Sequence, residues 1–298
     1  MALINVEASL PMPTWALVRL LAYEKRPITL DRARKLLSPS SLAGDDHKMF
    51  EQAIGTLLVL GVIQKTDDER VLLAGRAATL DGTNWEDFCA VLRKAVFKPE
   101  QNEAILNGDK TTGAADLNRA LCWFLSLDPT GATIGANNFE VMQDGALIAE
   151  ARPAIPNPTR WNRFTSWAPA LGLAAPALPT MGIASHYVPD CTVAVRQTVM
   201  ETWGHKANVN AVEFVRSLRE QLPVLPGGAY SRILGVEDPG DTAAGPALSF
   251  ALLRGGYEEW LKFSREADAK QLLSINDPER PLTPHTFSSV TVLKDYNG

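Results

Sequence analysis

Cysteine and histidine are scarce in this chain. Three cysteines, Cys89, Cys122 and Cys191, and four histidines are spread over 298 residues. An odd number of widely spaced thiols is poor material for a disulfide frame and points to the reducing cytoplasm. No Cys-x-x-Cys pair or His/Cys cluster is present, so no zinc site of the usual spacing is expected. Neither a metal nor any other cofactor is implied by the pattern. Long apolar runs are also missing: no stretch of about 18 apolar residues exists, and no membrane span is expected. The opening Met1-Ala2-Leu3-Ile4-Asn5-Val6-Glu7 lacks a basic start and a long apolar core, so it does not read as a secretory signal.

Catalytic signatures are absent as well. There is no Gly-x-Ser-x-Gly elbow. The run Gly108-Asp109-Lys110-Thr111-Thr112-Gly113 lacks the Walker spacing and a preceding strand, and Gly131 to Gly135 and Gly227-Gly228 fail the dinucleotide pattern. Glu258-Glu259 and Glu237-Asp238 are adjacent in sequence, and adjacent residues do not share a helical face. His205, in Trp203-Gly204-His205-Lys206, and then His186 are the residues to test for a hidden activity. The expectation is a protein without catalytic residues that works by recognition.

What the chain does have is ordinary globular material, 46% hydrophobic and 21% charged, enough for more than one core. Net charge is −5, against a general nucleic-acid coat. The charge is uneven. Residues 1–80 are near neutral at +1, 81–150 carry −6, 151–210 carry +3 and 211–298 carry −3.

The first 80 residues are the most readable. Pro13 suits a first helical turn, and Trp15, Val18, Leu21 and Ala22 follow helical spacing up to Lys25–Arg26. Thr29 can cap a second helix from Leu30 to Leu37, which ends before Pro39. Asp45 or Asp46 can cap a third, with Met49, Phe50, Ala53, Ile54, Leu57 and Leu58 on its buried side and Gly61 as its stop. Val62 to Lys65 and Val71 to Leu73, separated by the polar Thr66 to Arg70, read as two strands and a turn. Three helices, a glycine and a hairpin are the order of a winged helix, and Leu57-Leu58-Val59-Leu60-Gly61-Val62-Ile63 resembles the exit of a recognition helix into the wing.

The phrase recurs. Trp161 to Gly172 has the spacing of Phe50 to Gly61, with a buried helix at Leu117 to Leu127 ahead of it. Gly182 to Tyr187 and Thr192 to Val199 alternate like paired strands behind it. Pro169 stands against an unbroken helix there. A third copy would use Val209 to Leu222 and a helix opened by Pro246 and running to Gly255-Gly256. Its strands would be Trp260 to Phe263 and Phe287 to Leu293, with a short helix at Glu266 to Leu273 inserted between them. The expected architecture is α+β and mostly helical, with two or three tandem winged-helix modules. The modules are 1–80, then 117–205 and 206–298, with an acidic helical connector at 81–116.

Leu10-Pro11-Met12-Pro13-Thr14-Trp15-Ala16-Leu17-Val18-Arg19-Leu20-Leu21-Ala22, together with Leu60-Gly61 and a length near 300 residues, resembles the DpdG family. Those are accessory proteins of a bacterial system that installs 7-deazaguanine bases in DNA and restricts unmodified DNA. The resemblance implies a role in host defence and brings no catalytic residues with it.

Contact residues follow from the winged-helix reading. The third helix of the first module presents Asp45, Asp46, His47, Lys48, Glu51 and Gln52, too acidic a set for a good groove reader. Lys48, Gln52, Lys65 and Arg70 remain as candidate DNA contacts there. In the second module Arg160, Asn162 and Arg163 start the third helix, and no carboxylate interrupts the run from Arg152 to Tyr187. Arginine forks match guanine edges or phosphates, and asparagine matches adenine. The same residues suit an acidic protein surface, so double-stranded DNA and protein subunits of a complex both stay open as partners. Trp15, Trp85, Trp123 and Trp161 fall where helices bury them and are expected in cores.

Overall fold

A computed structural model describes residues 1–44, 46–108, 112–131, 133–178 and 186–294. The chain is α+β, 45% helix and 12% strand, with several small antiparallel sheets. It divides into two compact units, residues 1–117 with 157–171, and residues 118–156 with 172–298. These units are drawn differently from the expected segments: 157–171 belongs with the N-terminal residues.

In the first unit, α1 (Pro11–Glu24) starts with Pro11 in its first turn, buries Trp15, Leu17, Val18 and Leu21, and ends at Lys25 with φ 52°. Next come β1 (Ile28–Thr29) and α2 (Leu30–Leu37), capped by the Thr29 side chain, which accepts from Arg32 N. A short α3 (Ser40–Ala43) leads to α4 (Lys48–Val59). Asp46 Oδ1 accepts the Lys48 N–H, whereas Asp45 lies outside the described residues. Phe50, Ala53, Ile54 and Leu57 form the inner stripe of α4. Gly61, at φ 65°, then turns the chain into β2 (Ile63–Lys65) and β3 (Arg70–Leu73). The three strands form one antiparallel sheet in the order β1-β3-β2. Asn84 caps α5 (Trp85–Val96), and Phe88 stacks on Trp15 with centroids 4.9 Å apart.

The division between the units falls inside α6 (Ala115–Leu125). The second unit holds α7 (Phe139–Met142), and the first takes back α8 (Pro158–Ala170), whose N-cap Asn157 accepts from Arg160 N. Pro169 sits in the last turn of α8, where the helix is already ending. A minimal hairpin of β4 (Ala175–Pro176) and β5 (Tyr187–Val188) follows.

Two expectations are corrected beyond this point. Thr192 to Val199 is not a strand: it belongs to α9 (Thr192–Thr202). The β-branched residues favour strands locally, but Ala194, Val195, Thr198 and Val199 are buried at helical spacing, and Asp190 Oδ1 accepts the Thr192 N–H at the helix start. The second expected wing therefore does not form as read, and 182–185 of its other strand lie outside the described residues. The second correction is at Glu266 to Leu273, which forms no helix. It is a turn entering a strand, too short a run to recover the cost of nucleating a helix.

The end of the chain repeats the beginning. After α9 come β6 (Asn208–Asn210), α10 (Ala211–Gln221), short α11 (Ala229–Ile233) and α12 (Pro246–Tyr257). The strands β7 (Leu261–Ser264), β8 (Leu273–Ile275), β9 (His285–Phe287) and β10 (Ser289–Val292) finish it. The sheet order β6-β10-β7 matches β1-β3-β2 strand for strand, with the β8-β9 hairpin inserted in the connection. Asn210 caps α10 as Thr29 caps α2. Helices α4 and α12 are each 12 residues long. Leu248, Ala251, Leu252 and Gly255 are buried at the positions held in α4 by Phe50, Ala53, Ile54 and Leu57.

Candidate functional site

Three of the seven residues expected to meet DNA, Gln52, Arg160 and Arg163, are turned onto the first nine residues of the chain or the carboxylate that anchors them. Asp116, 1% exposed, is the anchor. Its carboxylate accepts the N–H groups of Leu3 at 3.2 Å, Ile4 at 3.0 Å and Leu117 at 2.8 Å. Arg160 is its cationic partner at 3.6 Å. One helical turn on, Arg163 Nη1 donates to the Ala8 carbonyl at 2.6 Å and Nη2 to that of Val6 at 3.1 Å. Burial pulls the Arg163 pKa below the ordinary guanidinium value. Gln52 Nε2 donates to the same Val6 carbonyl at 2.9 Å, and Thr56 Oγ1 accepts Ser9 N at 2.8 Å.

Residues 1–9 are thus a strap held along α4 by α8 and the start of α6. Met1 lies over Gly55, where an added Cβ would sit in ordinary contact, 3.7 Å from the Met1 methyl group. At the far end of α4, Gln101 Nε2 donates to the Val59 carbonyl at 2.7 Å. On the exposed part of α4 remain Lys48, Met49 and Glu51. Asn162 is exposed on α8, its carbonyl accepting from Thr165 Oγ1.

The hairpin cations are balanced locally. Lys65 meets Glu69 at 3.0 Å and Arg70 meets Asp68 at 2.7 Å. With Asp67 also exposed, the hairpin tip carries three carboxylates against two cations. Surface pairs of this kind are weak, yet their carboxylates would face any phosphate brought to the tip. On α12, the counterpart of α4, Arg254 is divided between Asp190 and Glu258, at 2.8 Å each. Beside it Phe250 and Leu253 are half-buried and Tyr257 is exposed. The sequence offered no warning of these partners, because the acceptors for Arg163 lie 155 and 157 residues away along the chain.

A family model described as DpdG-like matches residues 1–269. The chain belongs to the DpdG-like family. It is therefore an accessory protein of the Dpd DNA modification system. The match extends the resemblance read from Leu10–Ala22 and Leu60-Gly61 over most of the sequence. No curated protein and no solved structure matches the chain.

Several ionisable groups of this DpdG-like chain have partners or burial within the fold. His47 Nε2 lies 2.9 Å from Arg34 Nη1 and its Nδ1 lies 3.1 Å from Ser38 Oγ. A guanidinium only donates, so Nε2 accepts, Nδ1 carries the proton, and the ring donates to Ser38. That is the reverse of a base taking a proton from a nucleophile. His186 Nε2 contacts Asn137 Oδ1 at 2.8 Å, and His285 packs edge-on to Phe263 and Phe287. His205 is exposed. Burial pushes the Cys89 thiol up to about 12 and raises Cys122 and Cys191 as well, which keeps all three protonated near neutral pH. Among the described residues no group of three or more His, Cys, Asp or Glu could hold a metal ion. None of the described helices is long and apolar enough to cross a membrane. The Gly108–Gly113 run falls partly outside the described residues, at 109–111.

Proposed function

We propose that this protein is a non-enzymatic docking subunit of the Dpd system, built on two winged-helix modules at 11–73 and 192–292 that bind partner proteins. The module assignment draws support from the repeated order of helix, strand, helix, helix, hairpin. The strand order is the same in both, with the first strand beside the last. Winged helices use their third helix and wing for DNA or for protein, and fold alone does not choose.

The choice here rests on one observation: of the cations on the two third helices and the first wing, all but Lys48 are engaged within the chain or faced by carboxylates, and the two arginines of α8 are turned onto the strap. Gln52, Arg160 and Arg163 hold the strap, Lys65 and Arg70 sit among Asp67, Asp68 and Glu69, and Arg254 is shared by two acids. Only Lys48 stands out from α4. A groove reader needs forks directed at base edges and several phosphate contacts. Protein docking needs exposed apolar groups instead, and Met49 and Tyr257 supply them, with the half-buried Phe250 and Leu253 on the same helix as Tyr257.

The test pairs two measurements. The chain, tagged and co-expressed with the other proteins of its Dpd system, is expected to co-purify with at least one of them in nuclease-treated extract. A salt-titrated shift assay on double-stranded DNA is expected to give no binding tighter than about 10⁻⁴ M at physiological salt, the weak end of nonspecific affinity. Tight DNA binding with a steep salt slope, and no protein partner, would overturn the proposal.

A further inference from the structure

We infer that the groove beside α1 is the docking site for an amphipathic, acid-flanked helix of a partner subunit. This deepens the docking reading and rests on it. The groove measures about 1460 Å³ and lies within the first unit, between the outer side of α1, the end of β3 and residues 78–83. Its floor is made of Leu20, Leu37, Leu72, Leu73 and Leu80, all half-buried, and Tyr23 stands at its edge 84% exposed. Scattered surface leucines are ordinary, but a contiguous set lining one trough is a mark of a binding surface.

Size separates the occupants. Small-molecule sites enclose about 300–1,000 Å³ and bury most of their ligand. This groove is larger and open, so it suits a polypeptide segment. Leucine floors receive the apolar stripe of a helix, read as residues at i, i+3, i+4 and i+7.

Charge supplies the partner's polarity. Arg19, Lys25 and Arg26 stand exposed on the rim. Arg19 is steadied over the Trp15 ring, 6.0 Å from its centroid. Glu24, between them in sequence, is drawn to Arg32 at 2.7 Å, with Arg26 more distant at 3.7 Å. Asp81 is the carboxylate of the lining. A cationic rim around an apolar floor, on a chain of net charge −5, selects a helix whose apolar stripe is flanked by Asp and Glu. Duplex DNA would meet the rim but leave the leucines without apolar partners.

The experiment uses the full chain co-expressed with the other Dpd proteins. A benzophenone amino acid replaces Tyr23, or Met12 as the control outside the groove, and cross-linked segments are mapped by mass spectrometry. The Tyr23 probe is expected to capture a helix of a Dpd protein with an apolar stripe and flanking acids, and the Met12 probe is not. The double variant Arg19→Glu/Arg26→Glu is expected to lower the retained partner about tenfold or more, with an unchanged melting temperature. Cross-links to a second copy of this chain, to DNA, or to a segment without acids would overturn the inference. So would unaltered co-purification of the charge-reversed variant, while leaving the docking reading in place. Failure of the wild-type chain to co-purify with any Dpd protein would overturn both.

Discussion

Glu259 stands where Gly61 stands. Each is the second residue after a 12-residue helix, Gly61 at φ 65° and Glu259 at φ 58°. In each case the next residue returns its N–H to a helix carbonyl, Val62 to Leu57 at 2.9 Å and Trp260 to Gly255 at 3.1 Å. That residue's own carbonyl then accepts from the residue that follows the last strand, from Ala74 N at 2.9 Å and Leu293 N at 3.0 Å. One copy uses glycine for the left-handed residue and the other tolerates a side chain there. A left-handed non-glycine residue costs about 1–2 kcal/mol, part of which is returned by the smaller entropy of its unfolded state. Glu259→Gly is expected to stabilise the chain by about 0.5–1 kcal/mol. Gly61→Ala should destabilise it by about 1–2 kcal/mol through conformation alone, since the nearest atom to the added Cβ is Lys98 Nζ at 4.0 Å. Urea denaturation of both variants checks the pair, and equal signs for the two would refute the equivalence.

Arg163 holds the strap, so its loss should register in stability before it registers in any binding assay. Its donated bond to the Ala8 carbonyl is part-buried and the one to the Val6 carbonyl is exposed; bonds from a charged group are worth up to about 1.5–3 kcal/mol together with what they leave unpaired. Arg163→Ala is expected to lower the melting temperature by several degrees and to raise amide exchange over residues 3–9. Asn162→Ala, on the exposed side of the same helix, should do neither. If Arg163→Ala instead leaves stability intact and weakens DNA binding, the intramolecular role is wrong.

Much of this was readable from local pattern, and the misreadings have physical causes. Helices α1, α2 and α4 and strands β2 and β3 could be traced because their boundaries carry their own chemistry: Pro13, Thr29, Pro39, Gly61; β1 and α3, two and four residues long, leave no such mark. Two strands of the last sheet were also legible, since Trp260 to Phe263 and Phe287 to Leu293 contain the pairing residues of β7 and β10, whereas Val209, expected in a helix, lies in the third strand, β6. Thr192 to Val199 misled because its β-branched residues speak locally for a strand, while the helix is decided by burial of one face and by Asp190. Three of the expected contact residues have partners within the chain that local pattern does not announce. Arg160, Arg163 and Gln52 do converge, but on carbonyls and a carboxylate more than 40 residues distant in sequence, and no local spacing encodes that.

Asp116 carries the greatest consequence of any single residue in the strap. It is 1% exposed, with three backbone N–H groups and Arg160 directed at it. Removing the carboxylate leaves the buried N–H groups of Leu3 and Ile4 without their acceptor, at a cost of about 1–3 kcal/mol each, and takes the charge from beside the part-exposed Arg160. Asp116→Ala is expected to destabilise the chain by that sum. Asp116→Asn, which keeps an acceptor but loses the charge, should cost less. The two are compared by denaturant midpoints, and hydrogen exchange at Leu3 and Ile4 should rise in both. Protected amides at those positions in Asp116→Ala would show that the strap is held by something else.

Acid should loosen the second unit through Glu258. Burial alone would raise the pKa of this carboxyl, but the hydrogen bonds donated by Arg254 and Trp260 and the Arg254 charge outweigh it. The folded group therefore titrates below its ordinary value of 4.5. A group depressed on folding stabilises the native state fully above its unfolded pKa, and that contribution disappears as pH falls through the folded value. Stability is thus expected to hold from neutral pH to near 4.5 and to decline below it. Glu258→Gln should be less stable than the wild type at neutral pH and should lose less on acidification, because the substituted amide has no proton to gain. Denaturation midpoints measured from neutral pH down to about pH 3 would draw the two curves together at the acid end. Parallel curves over the whole range would mean that Arg254 is held by Asp190 alone.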